Sequence, residues 1–99
     1  MITHLEKLEN FEQEIQGKLV VVDFFAEWCG PCKMLTPNLE QLSEEADVKI
    51  VKIDTDELPE LARQFGVMSI PTLILFKEGK FIKRDLGYKT IEDLREFIK

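Results

Sequence analysis

Two cysteines, Cys29 and Cys32, stand three residues apart in the stretch Trp28-Cys29-Gly30-Pro31-Cys32-Lys33, and they are the only cysteines of the chain. That spacing suits reversible thiol–disulfide chemistry. A structural staple is a poor alternative, because closing a ring of four residues removes only about 2 kcal/mol of unfolded-chain entropy. Structural zinc is a poor one too. A closed zinc site wants four ligands, and His4 is the only other soft donor available. No metal is expected.

Cys29 is expected at a helix N-terminus, where unsatisfied amides and the helix dipole favour a thiolate. Such a thiolate attacks a partner's disulfide, and Cys32, one turn on, then attacks Cys29 and releases the reduced partner. Trp28-Cys29-Gly30-Pro31 reads as a loop, which predicts an exposed first thiol and a second one under the first turn. Gly30 and Pro31 set the ring geometry, and Trp28 offers a flat amphipathic surface beside the nucleophile. Asp23 interrupts the apolar run 19–25 and is expected to be buried. Burial raises a carboxyl pKa, which would let Asp23 relay a proton to or from Cys32 from beneath the disulfide, directly or through water. Lys52, out of place on an apolar strand face, is its expected partner, as a structural ion pair or as a modulator. Pro71 lies just before a strand, and the residues alone leave its peptide isomer open.

Periodicity supplies the elements that must hold these groups. Residues 2–5 form a short strand, and Leu8, Phe11 and Ile15 mark a helix ended by Gly17. Residues 19–25 are apolar on both faces, as in a central strand covered twice. Leu35, Leu39, Leu42 and Ala46 give a longer helix in which Pro37 removes a donor and is expected to cause a kink. A strand follows at 48–54. Asp56 is the expected N-cap of a short helix with Pro59 in its first turn and Gly66 at its end. Residues 72–76 and 81–86 form a hairpin about Glu78-Gly79, and Thr90 with Asp93 caps a last helix. The order βαβαβαββα predicts one α/β domain, residues 1–99, with helices on both faces of a mixed sheet. The cysteines then fall at the carboxyl ends of strands, where sites of such sheets lie.

A formal net charge of −6 argues against nucleic acid or an anionic membrane as partner. No run approaches the roughly 20 apolar residues of a membrane span. The start, Met1 to Lys7, lacks the basic and apolar regions of a signal peptide, so a cytoplasmic location is expected.

The run from Asp23 through Lys33, with Pro37, Asp54, Ile70-Pro71-Thr72, Phe76, Gly79 and Gly87, resembles the thioredoxin family over essentially the whole chain. The resemblance implies a five-stranded mixed sheet of order 1-3-2-4-5 with four helices. It implies a cis Ile70–Pro71 bond against the sulfurs and a partner-receiving surface of Trp28, Gly30, Pro31, Ile70, Pro71 and Gly87. Asp23 and Lys52 match the family's buried acid and neighbouring lysine. The implied activity is reduction of disulfides in client proteins by a monomer, with electrons returned by a thioredoxin reductase. No cofactor is implied on this chain. The flavin and NADPH chemistry belongs to the reductase, and Gly-x-Gly-x-x-Gly is absent. Phe25 stands where many members have a second tryptophan, the N-terminal strand is short, and Met68-Ser69 replaces a more usual small or basic pair. Two other readings remain at this point: a binding subunit of the same fold that does not need its cysteines, and a thiol oxidase or isomerase. Gly-Pro between the cysteines and the missing export signal argue against the latter.

Overall fold

The computed structural model describes residues 1–99. In chain order the elements are β1 (Ile2–His4), α1 (Phe11–Glu14), β2 (Val20–Phe25), α2 (Gly30–Glu45) and β3 (Lys49–Asp54). Then come α3 (Pro59–Gln64), β4 (Thr72–Lys77), β5 (Lys80–Leu86) and α4 (Ile91–Phe97), and a 3-10 turn at Leu8–Asn10 leads into α1. The sheet order is β1-β3-β2-β4-β5. β1, β3 and β2 are parallel; β4 and β5 run antiparallel to their neighbours. This is the mixed sheet, with four helices, that the resemblance implied.

Strand alternation sorts the apolar residues into two cores. Val20, Val22 and Phe24 of β2, Val51 and Ile53 of β3, and Ile74 and Phe76 of β4 face α1 and α3. Val21, Ile50, Leu73 and Leu75 point the other way, into Leu35, Leu39 and Leu42 of α2 and Leu94 and Phe97 of α4. Every residue of β2 is therefore buried, as its two-faced apolar pattern requires. Ile50 is fully buried at the middle of the second core. Ile50→Val removes one methyl group there and should cost about 1 kcal/mol, read as a lower denaturant midpoint at unchanged slope.

The short β1 still makes a proper edge. Ile50 donates its N–H to the Met1 carbonyl at 2.8 Å, and Leu5 donates to the Lys52 carbonyl at 2.9 Å. At the hairpin, Glu78 and Gly79 both have positive φ, 53° and 82°, as a two-residue turn matched to strand twist needs. Thr90 caps α4 with a reciprocal capping box to Asp93. α2 continues through Pro37 to Glu45. One expectation fails: α3 is preceded by Leu58, with no side-chain cap, and not by Asp56. Asp56 is drawn away by tertiary contacts instead. No helix is long and apolar enough to cross a membrane.

Candidate active site

β2 ends at Phe25, and Cys29 follows a turn closed by its own N–H on the Ala26 carbonyl at 3.2 Å. Cys29 is the N-cap of the 16-residue α2, with extended backbone, and its Sγ accepts the Cys32 N–H at 3.2 Å. Gly30 and Pro31 therefore form the first helical turn, not a loop. Proline is tolerated there because the first amides have no helical acceptor. A side chain on Gly30 would meet nothing within 4 Å. The space beside Gly30 is open to an incoming partner.

Cys29 and Cys32 are joined as a disulfide, with Cα atoms 5.3 Å apart. Both are buried, Cys29 to 4% exposure and Cys32 to 2%, among Phe25, Ala26 and Ile70. This corrects the expectation of an exposed first thiol. The reason is tertiary: the segment around Ile70 lies over the cysteines, with the Ile70 carbonyl oxygen 3.9 Å from Cys29 Sγ. The Ile70–Pro71 bond is cis. Gly87, at φ 85°, donates its N–H to the Pro71 carbonyl at 2.9 Å, which brings the end of β5 to the same corner. Ile70 is half-buried and Pro71 buried.

Trp28 is 71% exposed, yet its indole N–H donates to Asp56 Oδ2 at 3.0 Å. Asp54 in turn accepts the Asp56 backbone N–H at 2.8 Å. Asp56 thus orients the exposed indole, a task that no local pattern signals. Trp28 and Ile70 then border a shallow groove of about 200 Å³ with Val67 and the exposed Met68.

Asp23 is fully buried. It shares one cross-sheet row with Lys52 and His4, since Asp23 pairs with Lys52 and His4 with Lys52. Lys52 Nζ stands 3.1 Å from Asp23 Oδ2, so the two form an ion pair by distance. Lys52 is the one charged partner within reach of that buried carboxylate. Burial accordingly pushes the Asp23 carboxyl above its ordinary 3.8, with Lys52 and then His4 pulling the other way. Lys52 Nζ also lies 4.7 Å from the centre of the Phe25 ring. Cys32, Lys52, Thr36 and His4 border a cavity of about 180 Å³ behind the disulfide. Asp23 does not line it; Lys52, its ion-pair partner, does. Thr36, which sequence reasoning did not single out, sits between Lys52 and Cys32. Its only sequence signal is its place one helical turn after Cys32.

A disulfide at a helix N-terminus, on the carboxyl end of a central strand and packed against Ile70, is the site of a thiol–disulfide oxidoreductase. The Thioredoxin family model matches residues 2–99. The chain is 57% identical to the thioredoxin of Chlamydia muridarum over 91 residues, covering 91% of this chain and 89% of that one. It is 51% identical to the thioredoxin of Listeria monocytogenes over 91 residues, 90% and 88% of the two chains. Among solved structures, a mutant thioredoxin from Halobacterium salinarum superposes with a TM-score of 0.93 at 35% identity, over 98% of this chain and 87% of that one. The oxidised thioredoxin of Plasmodium falciparum gives 0.88 at 33% identity, over 99% and 95%. The chain belongs to the thioredoxin family. It is a protein-disulfide reductase that works with a thioredoxin reductase.

Proposed function

We propose that Cys29 is the nucleophile and Cys32 the resolving thiol of this reductase. One observation carries the assignment: Cys29 Sγ is the group that accepts an N–H at the mouth of α2, at 3.2 Å from Cys32 N. After reduction, that N–H and the dipole of a 16-residue helix favour a negative Cys29 sulfur over a negative Cys32 sulfur. The Cys29 thiolate attacks one sulfur of a client disulfide, whose other sulfur leaves with the electron pair. Cys32 then gives up its proton and attacks Cys29. The Cys29–client bond breaks, the client leaves as its second thiolate, and the chain is left oxidised.

Asp23 accepts the Cys32 proton through water, and Lys52, which pairs with Asp23 and borders the same cavity as Cys32, links the two and tunes the affinity of Asp23 for that proton. The raised carboxyl of Asp23, its ion pair with Lys52 and the cavity that Lys52 and Cys32 both border support these roles. Trp28, Gly30, Pro31, Ile70, Pro71 and Gly87 receive the client, whose extended chain pairs with the Ile70 backbone. The exposure of Trp28 and the open space over Gly30 support this surface. The reading also holds the chain to be one domain, monomeric and cytoplasmic. It carries electrons from the reductase to protein clients, without nucleic-acid or membrane partners.

Cys32→Ser tests the roles. The variant should arrest each turnover at the mixed disulfide and accumulate client proteins on Cys29, visible as thiol-reversible adducts by mass spectrometry. If no adducts form, or if they form in equal yield on Cys32 of a Cys29→Ser variant, the assignment is wrong.

A further inference from the structure

Beside the disulfide lies the groove of about 200 Å³ that Trp28 and Ile70 border. Ala62, Val67 and Met68 complete its apolar lining. No charged residue borders it, although charged residues make up 32% of the chain. The groove is smaller than the roughly 300 Å³ at which small-molecule pockets begin. That size suits a single side chain better than a cofactor. Ile70 joins the groove to the chemistry, because it also packs against the cluster of Phe25, Ala26, Cys29 and Cys32.

Most of the groove is held in place. The Trp28 indole is tied to Asp56 Oδ2 at 3.0 Å. Val67 donates its N–H to the Ala62 carbonyl at 2.8 Å, and both side chains pack on the first core. Just before Ile70, the Ser69 carbonyl accepts the Thr72 hydroxyl at 2.6 Å. Met68 differs. Its side chain is 94% exposed, the highest value among the large apolar residues of the chain. An unbranched thioether with three rotatable bonds adapts to whatever apolar surface is laid on it. Apolar area left in water to that extent is stabilised when a partner covers it.

We propose that this groove receives a large apolar side chain of the client, two residues from the cysteine under attack, and that Met68 sets the preference for it. The inference rests on the client surface proposed above, and names the class of client which that surface favours. In an extended segment, residues two apart project to the same side, roughly 7 Å from each other. A client whose cysteine points at Cys29 therefore points its second neighbour the same way, and Ile70 borders both destinations. An aliphatic or aromatic side chain there exchanges water for an uncharged lining, with Met68 folding over it. A charged one would lose hydration with no partner to replace it.

The probe is a set of extended peptides, each with one cysteine held in a mixed disulfide with the same chromophoric aromatic thiol. The Cys29 thiolate attacks the peptide sulfur, the Cys29–peptide bond forms, and the aromatic thiolate leaves with the electron pair. Its absorbance then reports the second-order rate. The peptides differ only in carrying leucine or serine at both positions two residues from the cysteine, and their rates with a small free thiol correct for intrinsic reactivity. The parent should prefer leucine by about tenfold, the low end of what an apolar pocket discriminates. Met68→Ser should cut that preference to about threefold, since the other walls remain. Met68→Leu keeps an apolar wall and should retain it. At 94% exposure, neither substitution should move the urea midpoint. A parent without preference overturns the inference. So does an unchanged preference in Met68→Ser, or a leucine variant that loses as much as the serine one. Trp28→Ala is measured beside them and should slow both peptides. If it slows neither, the client surface fails and the inference with it. If it slows both while Met68→Ser keeps the parent's ratio, only the role of Met68 fails.

Discussion

Cys29→Ser should reduce turnover of protein disulfides to background, a loss on the order of 10³-fold or more, as when a nucleophile is removed from an enzyme whose groups act as a unit. A serine hydroxyl placed at the mouth of α2 meets the same amide, but its proton affinity is far too high for the helix to ionise it, and oxygen does not exchange with a disulfide. Cys32 cannot take over. The amide at the mouth of α2, that of Cys32 itself, points at Cys29 Sγ at 3.2 Å and not at the Cys32 sulfur. The check is reduction of a model protein disulfide with a small dithiol as electron source. Retained turnover would mean that the client is attacked by some other group. Circular dichroism should show the same folded chain, because the ring that is lost spans only four residues and constrains little.

Asp23→Asn should slow resolution of the mixed disulfide by about 10²-fold, the range of a lost general base, and flatten the pH dependence of that step. Formation of the mixed disulfide, which depends on Cys29, should change much less. Stopped-flow single turnovers separate the two phases, and equal slowing of both would remove Asp23 from the resolving step. The same substitution should make the protein more stable at neutral pH. Burial raises the Asp23 carboxyl above 3.8, so the folded chain holds this proton more tightly than the unfolded chain does. Stability is therefore lost as pH rises from about 3.8 through the folded value, and the full penalty stays in place above it. Asparagine carries no such penalty. Its advantage should be absent in acid, grow through that window and stay constant beyond it, as urea midpoints at several pH values would show. Lys52 is not stranded by the change. It keeps the Thr36 hydroxyl at 3.2 Å, the Phe25 ring at 4.7 Å and a face on the cavity.

Both experiments concern a site whose parts differ in how visible they are before folding. Cys29, Cys32 and the helix they open are announced by spacing and by the apolar strand before them. Asp23 and Lys52 stand out because each puts a charge where period-two alternation demands an apolar side chain, and alternation then places them on one face of neighbouring strands. The capping box of Thr90 and Asp93 and the turn at Glu78-Gly79 are equally local, and each forms as its residues suggest. These rules work because their partners lie within a turn of helix or a hairpin, where chain connectivity leaves few alternatives.

The remaining features depend on segments far apart along the chain. Asp56 has the residue type of a helix cap, but Trp28, twenty-eight positions earlier, offers it an indole N–H and α3 begins without it. Cys29 reads as an exposed loop residue, and the Ile70 segment, forty-one positions later, covers it. Thr36 is an unremarked polar residue on a helix until β3 delivers Lys52 to it. By itself the amino-acid order determined the chemistry, the elements and the faces they bury, since these follow from residue type and period. Only the folded sheet decided which donor meets which acceptor, because a hydrogen bond is settled within a few tenths of an ångström, and only packing of distant strands defines positions that finely.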